Sequence, residues 1–178
     1  ADWIAESDPS AAAWEYRGAS TNPSIEVGTR GSCVADGDLF GPPIESETAD
    51  NGFIICDSNF GDDNIGPCGS FGQGPAPAPH VATLTTPSID LSGVERVGLS
   101  LNQYCKNYQA TQKIRYSIAG GEWMDLWVND VPEKSGESEK NRFDRVNVSE
   151  ALEGNADLRL QIYFDGNYYF WMLDDLIL

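Results

Sequence analysis

A chain of 178 residues, 40 % of them hydrophobic, is the size of one large domain and can bury one continuous core. Its 28 acidic residues outnumber its 11 basic ones, giving a formal net charge of −17, a charge that repels a nucleic-acid backbone and an anionic membrane face alike. No run approaches the ~18 apolar residues that span a bilayer and no charged-then-apolar leader opens the sequence, so residues 1–178 are expected to form a single, monomeric, soluble domain without membrane insertion.

Taken in chain order, residues 17–50 carry Gly, Ser, Thr, Pro and Asp with little periodicity and read as irregular. "NGFIIC" (51–56) is a short strand, and "GDDNIGPCGSFGQGPAPAPH" (61–80) a long Gly-Pro loop. "VATLTT" (81–86) is a second short strand. In "VGLSLNQYC" Val97, Leu99 and Leu101 alternate with Gly98, Ser100 and Asn102, and in "KIRYSI" Ile114, Tyr116 and Ile118 alternate with Lys113, Arg115 and Ser117. A period of two marks half-buried strands. "AGG" (119–121) supplies the positive φ angles of a tight turn into "EWMDLWV", predicting a hairpin in which Trp123, Asp125 and Trp127 share a face. "SEALEGN" allows one helical turn. "DLRLQIYF" alternates again, "DGN" turns the chain, and "YYFWMLDDLIL" is apolar on both faces, which predicts a strand in the middle of a sheet. Short strands, frequent turns and almost no helical pattern predict an all-β fold, an antiparallel two-sheet β-sandwich with long Gly/Pro loops.

Four cysteines, Cys33, Cys56, Cys68 and Cys105, lack CxxC spacing and have His80 as the sole histidine for company, so two disulfides in an oxidising, extracellular setting are expected rather than zinc. Four cysteines allow three pairings; the loop from Cys56 to Cys68 is the easiest to close, and four buried thiols are the alternative. His80 stands in a Pro-rich loop, no GxSxG elbow is present, and no Gly-rich phosphate loop follows a strand. A non-catalytic protein is therefore expected. A carboxylate pair for glycoside hydrolysis is the one enzymatic arrangement that meets in space rather than along the chain.

Asp174 and Asp175 stand inside the most aromatic run of the sequence. An ionised carboxylate among apolar residues costs several kcal/mol unless it is paired, coordinated or hydrogen-bonded, and calcium, which takes six to eight oxygens, is one remedy. Bonds from backbone amides are the other. Adjacent strand residues point to opposite faces, so one of the two acids should face the core side. The acids of "ADGDLF" (Asp36, Asp38) and "GDDN" (Asp62 to Asn64) miss EF-hand spacing and read as exposed turns.

"NGFIICDSN", "LTTPSIDLSGVERVGLSLNQYCKNYQ", "YSIAGGEWMDL" and "DGNYYFWMLDDLIL", in that order, resemble the MAM-like, cleaved-adhesin-like jelly-roll domains of large secreted Bacteroidetes proteins; the match runs from Asn51 to Leu178. The resemblance implies a jelly roll excised from a larger secreted or cell-surface protein, a structural calcium ion (Ca2+), and a role in adhesion or carbohydrate binding with a glycan or cell-surface protein as partner. It also implies Asp57 and Asp174 as metal ligands. Aromatic rings beside amides are what a sugar needs, which makes Tyr104, Tyr108, Asn167, Tyr168 and Trp171 the expected ligand-binding residues, with Asn102 beside them. The alternative role is a structural spacer that binds nothing beyond calcium.

Overall fold

The computed structural model describes residues 2–17, 44–63, 72–74, 76–134 and 136–178. Eleven strands are seen among them: β1 (Ile4–Asp8), β2 (Glu15–Arg17), β3 (Phe53–Asp57), β4 (His80–Thr85), β5 (Gly98–Asn107), β6 (Ala110–Ile118), β7 (Met124–Val128), β8 (Gly136–Glu137), β9 (Arg142–Asn147), β10 (Leu158–Gly166) and β11 (Phe170–Ile177). They form two antiparallel sheets. One has the order β1-β4-β10-β6-β7; the other runs β2-β3-β11-β5, with β8 and β9 both pairing with β5. Consecutive long strands change sheet, β3 to β4, β5 to β6 and β10 to β11, which gives the expected two-sheet sandwich its jelly-roll crossovers. Helix is confined to short pieces, among them α1 (Ser58–Asp63) and α2 (Ser149–Leu152).

The period-two strands bury the residues their alternation picks out. Leu99, Leu101, Ile114, Leu158, Leu160, Ile162 and Phe164 form one core between the sheets. Three indoles run through it: Trp14 packs edge-on against Trp171 at 5.5 Å, and Trp127 stacks on the other side of Trp171 at 6.1 Å. A polar net crosses the same core. Trp171 Nε1 donates to Gln103 Oε1 at 3.0 Å, Gln103 Nε2 donates to Asp144, and Asn129 Nδ2 donates to both Gln103 and Gln112. Every one of these donors needs its acceptor, because a buried unpartnered polar group costs about 1–3 kcal/mol.

β11 lies between β3 and β5, as its two apolar faces predict. Its outer face is covered too: Phe170 and Met172 join Phe53, Ile55 and Tyr104 in a second cluster closed by Ile44. The segment just before β3 therefore acts as a third layer over the middle of the second sheet. Tyr104 in this cluster is fully buried, its hydroxyl donating to Glu137 at 2.7 Å. Burial, helped by that acid, holds its phenol well above the ordinary range.

One expectation is corrected by local geometry. The pairing of β6 with β7 shifts register between Ile114 and Arg115, so Trp127 turns inward opposite Ile114 while Asp125 stays outside, bonded to Lys113 at 2.7 Å. Trp123, Asp125 and Trp127 share no platform. No disulfide is seen among the described residues. Cys56 and Cys105 are free, buried thiols, and both pair across to Trp171 in neighbouring strands. Two strand spacings separate their Cα atoms by about 10 Å, beyond the ~7 Å that a disulfide can bridge. Their other expected partners, Cys33 and Cys68, lie outside the described residues, as do Asp36 and Asp38. Burial pushes the Cys56 thiol well up, with Asp57 and Glu15 adding to it, and raises Cys105 as well.

Candidate functional site

The strand register decides which of the expected site residues meet. Asp57 pairs with Phe170, whereas Asp174 lies four residues further along β11, opposite Asn102. At ~3.3 Å of rise per residue the two acids stand about 13 Å apart along the sheet. Calcium oxygens lie ~2.3–2.6 Å from the ion, and the register does not bring Asp57 and Asp174 together at that range.

Asp174 instead shares a site with Asp175. β11 bulges between Asp174 and Ile177, and Asp175 has a positive φ of 50°, so the second carboxylate swings back toward the first instead of facing the opposite side of the sheet. Ser46 and Thr48, on the segment that covers this sheet, donate to the pair: Ser46 Oγ to Asp174 Oδ2, and Thr48 Oγ1 to Asp175 Oδ1 at 2.6 Å and to Asp174 Oδ2 at 3.2 Å. Asn102 Nδ2 donates to Asp175 Oδ2 at 2.9 Å, and the backbone N–H of Asp175 donates to Asp174 Oδ1 at 2.9 Å. Half-buried carboxylates are thus satisfied by neutral donors. Among the described residues neither acid forms an ion pair, so two negative charges remain side by side without a neutralising partner. Two carboxylates with two hydroxyls offer the hard oxygens that a calcium ion takes; among the described residues no third acid joins them.

Beside the pair a cleft of about 480 Å³ opens where the ends of the two sheets part. Its mouth carries two exposed rings, Trp3 at 46 % and Tyr16 at 66 % of full exposure, and the Tyr16 hydroxyl is fixed by the carbonyl of Asn51. Leu84 and Leu173 form its floor, and Asp174 and Asp175 its acidic wall. Concave apolar surface with a few convergent polar groups is the usual form of a ligand site. Asp174 is legible in the sequence but the rings are not, because Trp3 precedes β1 and Tyr16 lies in β2, short edge strands without a burial period.

The other expected ligand residues divide. Tyr104 and Trp171 are fully buried and belong to the two cores, and Asn102 is also buried, so these do not present a binding surface. Tyr108, Asn167 and Tyr168 do come together at the far end of the sandwich. The rings of Tyr108 and Tyr168 lie 5.5 Å apart, and Asn167 Nδ2 donates to Gln109 Oε1 at 3.0 Å. The Tyr108 ring also packs edge-on against Tyr169 at 6.2 Å.

The lone histidine is structural. His80 is fully buried; its Nε2 faces the Ala76 carbonyl, so that nitrogen carries the proton and Nδ1 accepts from Ser58 Oγ at 2.6 Å. Ser58 is itself 1 % exposed, so this Ser-His pair is closed to a substrate.

No protein-family model matches the chain, and no curated protein does so. Two similar solved structures are cleaved adhesin domains of Lys-gingipain from Porphyromonas gingivalis. The K1 domain has a TM-score of 0.48 at 18 % identity, covering 99 % of this chain and 96 % of that one. The K3 domain has a TM-score of 0.49 at 15 % identity, covering 92 % and 88 %.

Proposed function

We propose that this chain is a non-catalytic extracellular adhesion module that binds a carbohydrate on a cell surface or matrix through the cleft at Trp3 and Tyr16. The observation that carries the reading is that two exposed aromatic rings and two carboxylates line one cleft. Rings stack on the apolar face of a sugar, and carboxylate oxygens accept from its hydroxyls, so one cleft supplies both kinds of contact. The one Ser-His pair among the described residues is buried and structural. Calcium held by Asp174 and Asp175, with hydroxyl oxygens of Ser46 and Thr48, would neutralise the acidic wall and fix the covering segment against β11. The sequence resemblance supports the same adhesive role and a secreted or cell-surface location.

The test is a glycan array probed with the domain in calcium, repeated with Trp3→Ala and Tyr16→Ala. Both side chains are exposed, so both variants should fold and lose the array signal. Retention of the full signal by the double variant would remove the cleft from the reading.

A further inference from the structure

A second concavity, where β5 and β9 of the sheet that carries the cleft's acids begin and end, has the reverse charge. It has a volume of about 650 Å³ and is lined by Arg96, Arg145, Glu95, Asn147 and Ser149 around the start of β5 and the end of β9. Its frame is rigid: the Val97 N–H donates to Ser149 Oγ at 2.7 Å, that hydroxyl lies 2.8 Å from Asn147 Oδ1, and Val148 N–H donates to the Val97 carbonyl at 2.9 Å. Gly98, paired with Asn147, leaves the floor without a side chain. In a chain where acids outnumber bases by 28 to 11, lysines and arginines have acidic partners in abundance. Lys106, Lys113, Lys140 and Arg142 all form ion pairs. Arg96, Arg115, Arg145 and Arg159 form none among the described residues, and of these Arg96 and Arg145 both line this one concavity.

The geometry points to a binding site for the carboxylate or sulfate group of an acidic polysaccharide, independent of the cleft. Two guanidinium groups present planar forks that match an oxyanion through paired charge-assisted hydrogen bonds. The distant acids of the chain matter little here, because at physiological salt charges are screened beyond ~8 Å. Glu95 selects the kind of anion. Its carboxylate can only accept hydrogen bonds, so it repels a second carboxylate from an acidic peptide, whereas a sugar ring offers it hydroxyl donors next to a single charged group.

The experiment measures binding of size-defined oligogalacturonate and heparin oligosaccharides to the whole chain by calorimetry at physiological salt, where the distant acids are screened. Binding of either is expected. Arg96→Gln with Arg145→Gln should lower affinity at least tenfold with an unchanged melting temperature, and Glu95→Gln should raise it. Trp3→Ala should leave it intact, which separates this site from the cleft. No binding of either saccharide, undiminished binding by the double variant, or equal binding of poly-glutamate would each overturn the assignment.

Discussion

Thr48 Oγ1 lies 2.6 Å from Asp175 Oδ1, and with a second contact to Asp174 it ties the segment that covers the second sheet to the last strand. A single hydroxyl proton serves two adjacent carboxylates there. Thr48→Val keeps the shape and removes the donor, so it is expected to destabilise the fold by about 1–3 kcal/mol. At roughly 2–4 °C per kcal/mol for a domain of this size, the melting temperature should fall by several degrees. An unchanged value would mean that water replaces the hydroxyl without cost.

The calcium proposal gives a separate expectation. An ion that binds only the folded state stabilises it by about 2.7 kcal/mol at a hundredfold its dissociation constant. Excess chelator should therefore lower the melting temperature of the unaltered chain, and Asp174→Asn should abolish that response because the two perturbations act on one site. Asp57→Asn is the control; at ~13 Å along the sheet it should leave the response to chelator intact. Thermal melts with and without chelator, with elemental analysis of the purified chain, decide it. A chain that contains no calcium and ignores the chelator rules the ion out.

Gln103 holds the polar net of the core. Gln103→Leu would strip the acceptor from the buried Trp171 Nε1, while the half-buried Asp144 would lose one donor and keep Arg142. A loss of about 1–3 kcal/mol is expected from the one buried orphan, measured by chemical denaturation. Gln103→Glu keeps the acceptor but places a second carboxylate beside Asp144, and should be worse at neutral pH than at pH 4.

Alkaline pH should unfold the protein earlier than its core alone would suggest. Burial raises the Cys56 and Cys105 thiols and, with Glu137, the Tyr104 phenol. For such groups the folded state favours the protonated form. Their contribution is complete below the unfolded values, ~8.5 for a thiol and ~10 for a phenol, and is lost as pH rises toward the folded ones. Denaturant midpoints should thus decline from about pH 9 upward, and Tyr104→Phe should flatten the decline above pH 10. A midpoint that is flat to pH 11 contradicts the burial of these groups.

The fold was largely legible because alternation is a local signal. Leu158, Leu160, Ile162 and Phe164 announce their strand, and the two-faced apolar run of β11 announces both its central place and the need for a layer above it. β1 and β2 were not legible: as short edge strands they expose most of their residues, so no periodicity marks them. The site was only half legible. Asp174 stands out by its apolar neighbours, but its partner depends on strand register and on a bulge, which put Asp57 four residues away and turned Asp175 back. Aromatic residues misled for a related reason. Tyr104 and Trp171 have the composition of a sugar platform, yet their positions in central strands bury them, while Trp3 and Tyr16 at the sheet ends stay open.

The three stacked indoles also make the sandwich its own optical gauge. Trp14 and Trp171 come from the β2 and β11 side and Trp127 from β7, so the stack exists only while the two sheets are pressed together. Close aromatic rings in a fixed asymmetric array give strong near-ultraviolet circular dichroism, which vanishes when side-chain packing loosens even if the strands persist. Loss of that band ahead of the far-ultraviolet strand signal would reveal the sheets sliding apart before they unravel, and a Trp127→Leu variant would silence half of the gauge while leaving the exposed ring at Trp3 free to report on the cleft.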